Sequence, residues 1–541
     1  MATATGSSGG KLEKRKKKKK KTTAVERAGS GGGGNAKKPT TTTASHRPTK
    51  PLLRAAPPPP SYRLRGTSGS DDDDDDAAPS FLTPSHAEYE RCMKTSYLGF
   101  HVDDPSALPE KTHREIARAF ERMASDGIFH RDVLAAGKSV SPTFVSRTLL
   151  GERGMTYHYQ RLRIFAHPWD EETQPDASHP FRAVKRLNDA LVSRSTAVLR
   201  ASSDPRLGDG VDGSCDFNVT LINLMEPASR CAEVPLKDEA LFGMGKARST
   251  SVSWHSDSSL QDVSTVAVYH QTDDDDDDSW AVALKTLDGV TPAMRTPLRS
   301  REMYYMLRDF NAHHHHAVIT GESRRFSSTH RVAVVAKDTF EHIKTRCERA
   351  LRLLPGIKKI AQVGPGPGDD LAAFARSAQM MGETHRECEF QWIRMFWLQG
   401  SRHAASHSAY WRQRIAELTQ AWDAMELGYR WALDALRAGA STGAMPLRAY
   451  DVVSYLLEET RELRAEHARR SRAGAYEAMP ADCRPVDEPK FDEKSPLPFD
   501  LGPVLATLAG WRRDAERAQT TTTEGGSKTK KGKPGKGSKR R

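Results

Sequence analysis

Apolar residues are spaced differently in three stretches of the chain, and each spacing predicts a different structure. Between about 84 and 140 the period is helical, as in His113-Arg-Glu-Ile-Ala-Arg-Ala-Phe-Glu-Arg-Met123, and a further helix is expected at 181–200. From Phe217 the period shortens. Asn218-Val-Thr-Leu-Ile-Asn-Leu-Met, Ser264-Thr-Val-Ala-Val-Tyr, Trp280-Ala-Val-Ala-Leu, Met303-Tyr-Tyr-Met-Leu, Ala317-Val-Ile-Thr and Arg331-Val-Ala-Val-Val are short, β-branched or aromatic, and separated by polar turns. Successive strands of this kind predict an antiparallel barrel or jelly roll. After Lys337 the strands stop, and helical spacing returns at 387–399, 410–438, 450–472 and 504–518. The expected class is therefore α+β, with a strand-rich domain over 81–338 and an all-α domain over 339–518.

Composition sharpens the ends of this plan. Residues 1–80 hold a polylysine run, Gly31 to Gly34, Thr40 to Thr43, Pro57 to Pro60 and Asp71 to Asp76, and 519–541 is similarly biased. Neither segment carries enough apolar surface to offset chain entropy, so both are expected to be disordered tails. The net charge of +12 also sits there: residues 1–80 carry +9 and residues 519–541 carry +7, which leaves −4 for the body between them. Basicity thus points to polyanions meeting the tails and says little about the fold. The run Lys14 to Lys21 suits a nuclear address, with an organelle transit peptide as the alternative. The six cysteines are scattered without a C-x-x-C pair, as suits a reducing compartment. No apolar run is long enough to span a bilayer. A second acidic run, Asp273 to Asp278, is expected at a hairpin tip or in a loop insertion, solvated rather than metal-binding.

Candidate chemistry begins at Ser253-Trp254-His255-Ser256-Asp257. In a strand, residues i and i+2 share a face, so the His255 imidazole and the Asp257 carboxylate can address one point. Two histidines and a carboxylate on one face of an octahedron form the ligand set of non-haem Fe(II) oxygenases. A third ligand would come from a distant strand, and the run His313 to His316 offers candidates. Two other H-x-D triplets, His101-Val102-Asp103 and His130-Arg131-Asp132, are expected to be polar surface. Downstream, Arg325-Phe326-Ser327-Ser328-Thr329-His330-Arg331 would place Arg325, Ser327, Thr329 and Arg331 on one strand face. Burying such a row of donors is costly without an anion to partner it. Arg325 suits a bidentate grip on a carboxylate such as the distal one of 2-oxoglutarate, Ser327 and Tyr304 could complete the pocket, and Asn223 is a lone amide in an apolar strand. His316 lies nine residues before Arg325, as a hairpin connection would place it.

Taken together, residues from about 84 to 510 resemble the fat-mass-and-obesity-associated (FTO) demethylases, a branch of the AlkB-like dioxygenases. Val145-Ser-Arg-Thr-Leu-Leu-Gly151, Thr156-Tyr-His-Tyr159, Phe242-Gly-Met-Gly-Lys246, Ser251-Val-Ser-Trp-His-Ser-Asp257, Arg325-Phe-Ser-Ser-Thr-His-Arg331 and Pro496-Leu-Pro-Phe-Asp-Leu501 carry the resemblance. It implies a double-stranded β-helix core braced by a C-terminal helical bundle. It implies Fe(II) held by His255, Asp257 and His316, 2-oxoglutarate held by Asn223, Tyr304, Arg325, Ser327 and Thr329, and O2 as oxidant. It further implies a methylated base beside Arg147 and Tyr159, with Arg331 nearby, and a loop over 235–246 that favours single strands.

One position departs from the family pattern: Ser258 stands where the family has an acidic residue that helps to recognise the base. The expected activity is oxidative N-demethylation of single-stranded RNA or DNA, N6-methyladenosine in RNA foremost, with release of formaldehyde and succinate. An oxygenase acting on a protein or small molecule, and a non-catalytic nucleic-acid-binding module, are the rival readings.

Overall fold

In the computed structural model the described residues are 81–526, apart from 132, 137–138, 143–144, 160–161, 171–178, 209–211, 231–232, 235–246, 249–251, 367–368, 400–405, 408 and 473–496. The expected tail over 1–80 and the loop over 235–246 therefore lie outside them.

Two sheets carry the strand-rich half. The larger runs Phe100–Asp103, Met303–Met306, Val266–Thr272, Arg325–Arg331, Val219–Met225, Ser146–Gly151 and His167–Pro168, antiparallel except for the last pair. The smaller runs Val252–His255, His314–Ile319, Ala281–Thr286 and Met294–Pro297. Apolar residues from both sheets, among them Val268, Tyr304, Val282, Leu284 and Val318, belong to one core. This is the jelly-roll arrangement that the short strands predict. The outer face of the larger sheet is covered by the helices Glu110–Ser125 and Pro180–Ala201. Phe120 stacks on Phe326 at 5.2 Å, and Asn188 reaches His330 Nδ1 at 2.8 Å. Arg325–Arg331 is consequently buried along its whole length, and only the cavity between the sheets is left for its charged face.

Several elements differ from the sequence reading, each for a local reason. Arg331-Val-Ala-Val-Val does not form a strand of its own, because pairing ends at Arg331 and only Ala333 makes an isolated bridge, to Leu260. His101-Val102-Asp103 is not loose surface but the last three residues of the edge strand Phe100–Asp103, with Asp103 buried and held by His101, Arg194 and Tyr305. The second Asp run is not a hairpin tip. It joins Val266–Thr272 in one sheet to Ala281–Thr286 in the other, and Asp273, Asp275 and Asp277 pair with Arg324, Arg301 and the Ser279 and Ser323 hydroxyls.

Helices fill the remainder: Phe340–Val363, Leu371–Glu387, Ala409–Ala440, Leu447–Arg472 and Gly502–Gly526. The first of these contains Pro355 followed by Gly356, a pair that reads as a turn in sequence, yet Ile343, Cys347, Leu354 and Ile357 bury one face and hold the helix through it. The stretch expected to begin at 387 continues Leu371–Glu387 through a π-helical turn, Cys388–Ile393. The tail expected from 519 onward starts inside the last helix, where the Gln519 amide donates to the Gly443 and Met445 carbonyls. Among the described residues no helix is long and apolar enough to cross a membrane.

The two halves meet at the hairpin formed by Thr156–Tyr159 and Leu162–Phe165. Phe165 is packed edge-on against Phe396 and Trp411 of the helical domain at 5.1 and 4.9 Å. Arg163 donates to the Gln391 carbonyl at 2.7 Å and lies 4.1 Å over the Trp392 ring. The hairpin is thus clamped from behind by the helical domain.

Candidate active site

The strand partners His255 and His316 face each other directly in register, which brings their ring centroids to 4.1 Å. Asp257 lies beyond the end of its strand, so the i, i+2 strand rule does not place it. Asn311 does: its Oδ1 accepts from the Asp257 main-chain N–H at 2.8 Å, and its Nδ2 donates to the Asp257 carbonyl at 2.9 Å. One ligand atom from each of His255, Asp257 and His316 falls within 4.8 Å of the others. The run of histidines divides by role. His314 has both ring nitrogens against carbonyls, of Phe310 and Ser96, and His313 faces Asp309, so His316 is the member that reaches the cluster.

Donor chemistry fits a divalent metal. His255 Nδ1 donates to the Ser253 carbonyl at 2.7 Å, which fixes the tautomer and leaves Nε2 as the free lone pair. Buried Asp257 Oδ2 and His316 Nδ1 have no hydrogen-bond partner, a costly state for groups removed from water. Burial alone would raise the Asp257 carboxyl, but the Arg331 guanidinium, 3.4 Å from Oδ1, opposes it and holds the group ionised, below its usual range. Burial brings His316 down to about 3, so its ring is neutral. An ionised Asp257 and a neutral His316 are in the protonation states that metal binding requires.

Next to this cluster, strand register builds a polar cavity wall. Directly opposed residues share a face in an antiparallel sheet, and Arg147, Asn223, Ser327 and His270 are opposed in one row across four strands. The neighbouring row sets Leu221, Thr329, Val268 and Tyr304 side by side. Asn223, Tyr304, Ser327, Thr329 and Arg331 line one cavity with His255, Asp257 and His316. Arg325 is fully buried at its end. Its Nε donates to His270 Nδ1 at 2.5 Å, Nη1 contacts Met225 Sδ at 3.3 Å, and Nη2 has no partner. Among the described residues no carboxylate pairs with it. Burial pulls its pKa down to about 10, opposed by Tyr304, and it stays a cation at neutral pH.

Comparison with known proteins then settles the family. The model of the FTO catalytic domain matches residues 87–334, and that of the FTO C-terminal domain matches residues 338–510. The alpha-ketoglutarate-dependent dioxygenase FTO of Xenopus laevis is 32% identical over 452 residues, covering 74% of this chain and 87% of the relative. This chain belongs to the FTO family. It is therefore an enzyme of the 2-oxoglutarate-dependent dioxygenase class, whose members use Fe(II) and O2 with that co-substrate. Solved structures with a weak likeness to this chain include a prolyl hydroxylase from Trichoplax adhaerens, in complex with a hypoxia inducible factor peptide fragment (12% identity, 44% of this chain and 86% of that one, TM-score 0.26), and OsALKBH1 (13%, 43% and 96%, TM-score 0.26).

Within this FTO-family site the remaining expected residues are placed unevenly. Arg147 is buried on the cavity-facing row beside Asn223. Tyr159 ends the clamped hairpin strand, but its side chain lies outside the described residues. Ser258 is exposed, and its hydroxyl donates to the His158 carbonyl at 3.2 Å. Sequence reading missed Asn311, Tyr157 and His270. Tyr157 OH accepts from Arg331 Nη1 at 2.7 Å and so steadies the guanidinium on Asp257. Only His270 left a signal in the sequence: it continues the alternation of Val266 and Val268 one step beyond the expected strand end at Tyr269.

Proposed function

We propose that the chain is an oxidative demethylase of N-methylated bases in single-stranded nucleic acid, with N6-methyladenosine in RNA as first substrate. One observation carries the cofactor side of this reading. A fully buried arginine cation without an acidic partner sits behind Met225 and Tyr304, two walls of a cavity that holds two imidazoles and a carboxylate with an unpartnered oxygen. A dicarboxylate co-substrate and a divalent metal answer both deficits at once.

The side chains divide the work. His255, Asp257 and His316 would hold Fe(II). When bound, the iron couples decarboxylation of 2-oxoglutarate to oxidation by O2, giving succinate and, from an N-methyl group, formaldehyde. Arg331 and Asn311 fix the carboxylate and backbone of Asp257 so that its free oxygen faces the cluster. Arg325 takes the distal carboxylate of 2-oxoglutarate, with Tyr304 and Ser327 beside it, while Asn223 and Thr329 line the rest of its path. Burial raises the Tyr304 phenol, so it stays protonated and can donate. On the substrate side Arg147 and Tyr159 flank the base, and aromatic stacking of a base contributes about 1–3 kcal/mol. The clamped hairpin carries Tyr159 at the end of its first strand. The basic tails add salt-dependent, sequence-independent affinity for the strand and suit residence in the nucleus.

Ser258 favours a second reading. Its hydroxyl is engaged with a carbonyl and offers no carboxylate to a base, so base preference can differ from that of the family, or the substrate can be a protein side chain or small molecule. The deciding experiment incubates the protein with Fe(II), ascorbate and 2-oxoglutarate and a panel of methylated RNA and DNA oligonucleotides, read by mass spectrometry. Loss of methyl from one or more bases with equimolar succinate is expected. Succinate formation with every oligonucleotide left intact would refute the nucleic-acid reading.

A further inference from the structure

We infer that His270 is a positioning residue for the 2-oxoglutarate carboxylate, acting as the neutral acceptor that aims the Arg325 guanidinium. The inference rests on the assignment of Arg325 as the carboxylate clamp.

Three features of the structure lead to it. His270 is fully buried and sits on the cavity face, opposed to Ser327 and one row from Arg325. Its Nδ1 receives the Arg325 Nε–H at 2.5 Å. Nε of a guanidinium can only donate, so Nδ1 must be the unprotonated nitrogen and the proton must sit on Nε2. The third feature is the remainder of the guanidinium: one terminal nitrogen meets a thioether, the other has no hydrogen bond of normal geometry, and the only polar group beside them among the described residues is the neutral Tyr304 hydroxyl. Anchoring Nε stops rotation about the end of a long side chain, and the open terminal nitrogens are then presented in one direction. Burial, and secondarily Arg325 itself, holds the imidazole far below its usual pKa, so both members cannot be cations together.

The choice of acceptor matters. An aspartate or glutamate at this position would orient Arg325 equally well, but would neutralise it and compete with the incoming carboxylate. A neutral imidazole gives direction and leaves the full charge for the ligand. Trp280, whose ring lies 5.2 Å from the guanidinium carbon, walls the site without adding an opposing charge.

The test compares His270→Phe, His270→Asn and His270→Asp with Arg325→Ala. Affinity for 2-oxoglutarate is measured by anaerobic calorimetry on the Fe(II)-loaded protein, together with KM and kcat. His270→Phe removes the acceptor and should raise Kd and KM for 2-oxoglutarate roughly ten- to a hundredfold, with kcat at saturation within about twofold. His270→Asn places an amide oxygen near the position of Nδ1 and should recover most of the affinity. His270→Asp keeps the hydrogen bond, yet should bind 2-oxoglutarate at least as weakly as His270→Phe, because the charge is cancelled.

A structural role alone would instead lower thermal stability without moving the ratio of KM to kcat, and would not be rescued by Asn. Unchanged 2-oxoglutarate affinity in a folded His270→Phe, with Arg325→Ala weakened, overturns the role of His270 and leaves the clamp standing. Unchanged affinity in Arg325→Ala overturns the clamp itself.

Discussion

Two clusters in this molecule, one partly and one wholly buried, are made from the same kinds of side chain. One is His255, Asp257 and His316 between the sheets; the other is His385, Glu389 and Glu426 in the helical domain. Both bring their ligand-type atoms within 4.8 Å. In the helical cluster the carboxylates already have donors. Glu389 Oε1 accepts from Arg394 at 2.9 and 3.0 Å, and Oε2 from Trp422 and Arg464, each at 3.2 Å. Glu426 Oε1 takes His385 Nε2 at 2.6 Å and Arg464 Nη2 at 3.1 Å. Two carboxylates balance two guanidiniums, and a cation could enter only by displacing an arginine. Each cluster has one imidazole nitrogen without a partner, His385 Nδ1 and His316 Nδ1, but only between the sheets are charged groups left open, at Asp257 Oδ2 and Arg325 Nη2. A closed network holds a fold together, whereas an open one is completed by a ligand.

Substitutions can break this contrast. The largest effect is expected from His255→Ala, which should abolish 2-oxoglutarate turnover while the unfolding midpoint stays within a few degrees of wild type; calorimetric melting beside a succinate assay checks both. In the closed network the balance should reverse. Glu389→Ala strands two buried guanidiniums and should cost about 3–5 kcal/mol in denaturant unfolding.

Arg325→Ala should raise KM for 2-oxoglutarate about a hundredfold, close to 2.7 kcal/mol, with Fe(II) affinity changed far less. Equal losses of iron and co-substrate would contradict its role as a clamp. Asn311→Ala loosens only the bracket on the Asp257 backbone and should weaken Fe(II) about tenfold, measured by metal titration.

Acidity sharpens the contrast further. Burial alone would raise the Glu389 carboxyl, but Arg464 and Arg394 outweigh it and bring it from 4.5 down to about 2. A depressed carboxyl stabilises above its unfolded value and loses that contribution as pH falls through the folded one. About 3 kcal/mol should therefore be present at pH 6 and fade between about pH 4.5 and 2. The stability gap between wild type and Glu389→Gln, followed by denaturant titration, should narrow over that range.

Much of the catalytic half could be read in the sequence, because its information is periodic. Strands such as Val219–Met225 and Arg325–Arg331 alternate between a face that packs under helices and one that faces the cavity, and that alternation picked out Ser327, Thr329 and Arg331 before any coordinates. Asn311 could not be read this way. It acts through main-chain hydrogen bonds across a loop, and its position follows no period. Nor could the helix at Phe340–Val363, where tertiary packing overrides the local signal of Pro355. The closed network escaped notice because Glu389 and Arg464 lie 75 positions apart on helices whose charges look like ordinary solvated faces.

Metal stoichiometry tests the contrast most directly. Wild type, Asp257→Ala and Glu426→Ala are loaded anaerobically with Fe(II), desalted and assayed for iron per chain. One ion is expected in wild type and in whatever fraction of Glu426→Ala remains folded, with none in Asp257→Ala. Iron retained by Asp257→Ala and lost from folded Glu426→Ala would place the metal in the helical domain and contradict the account.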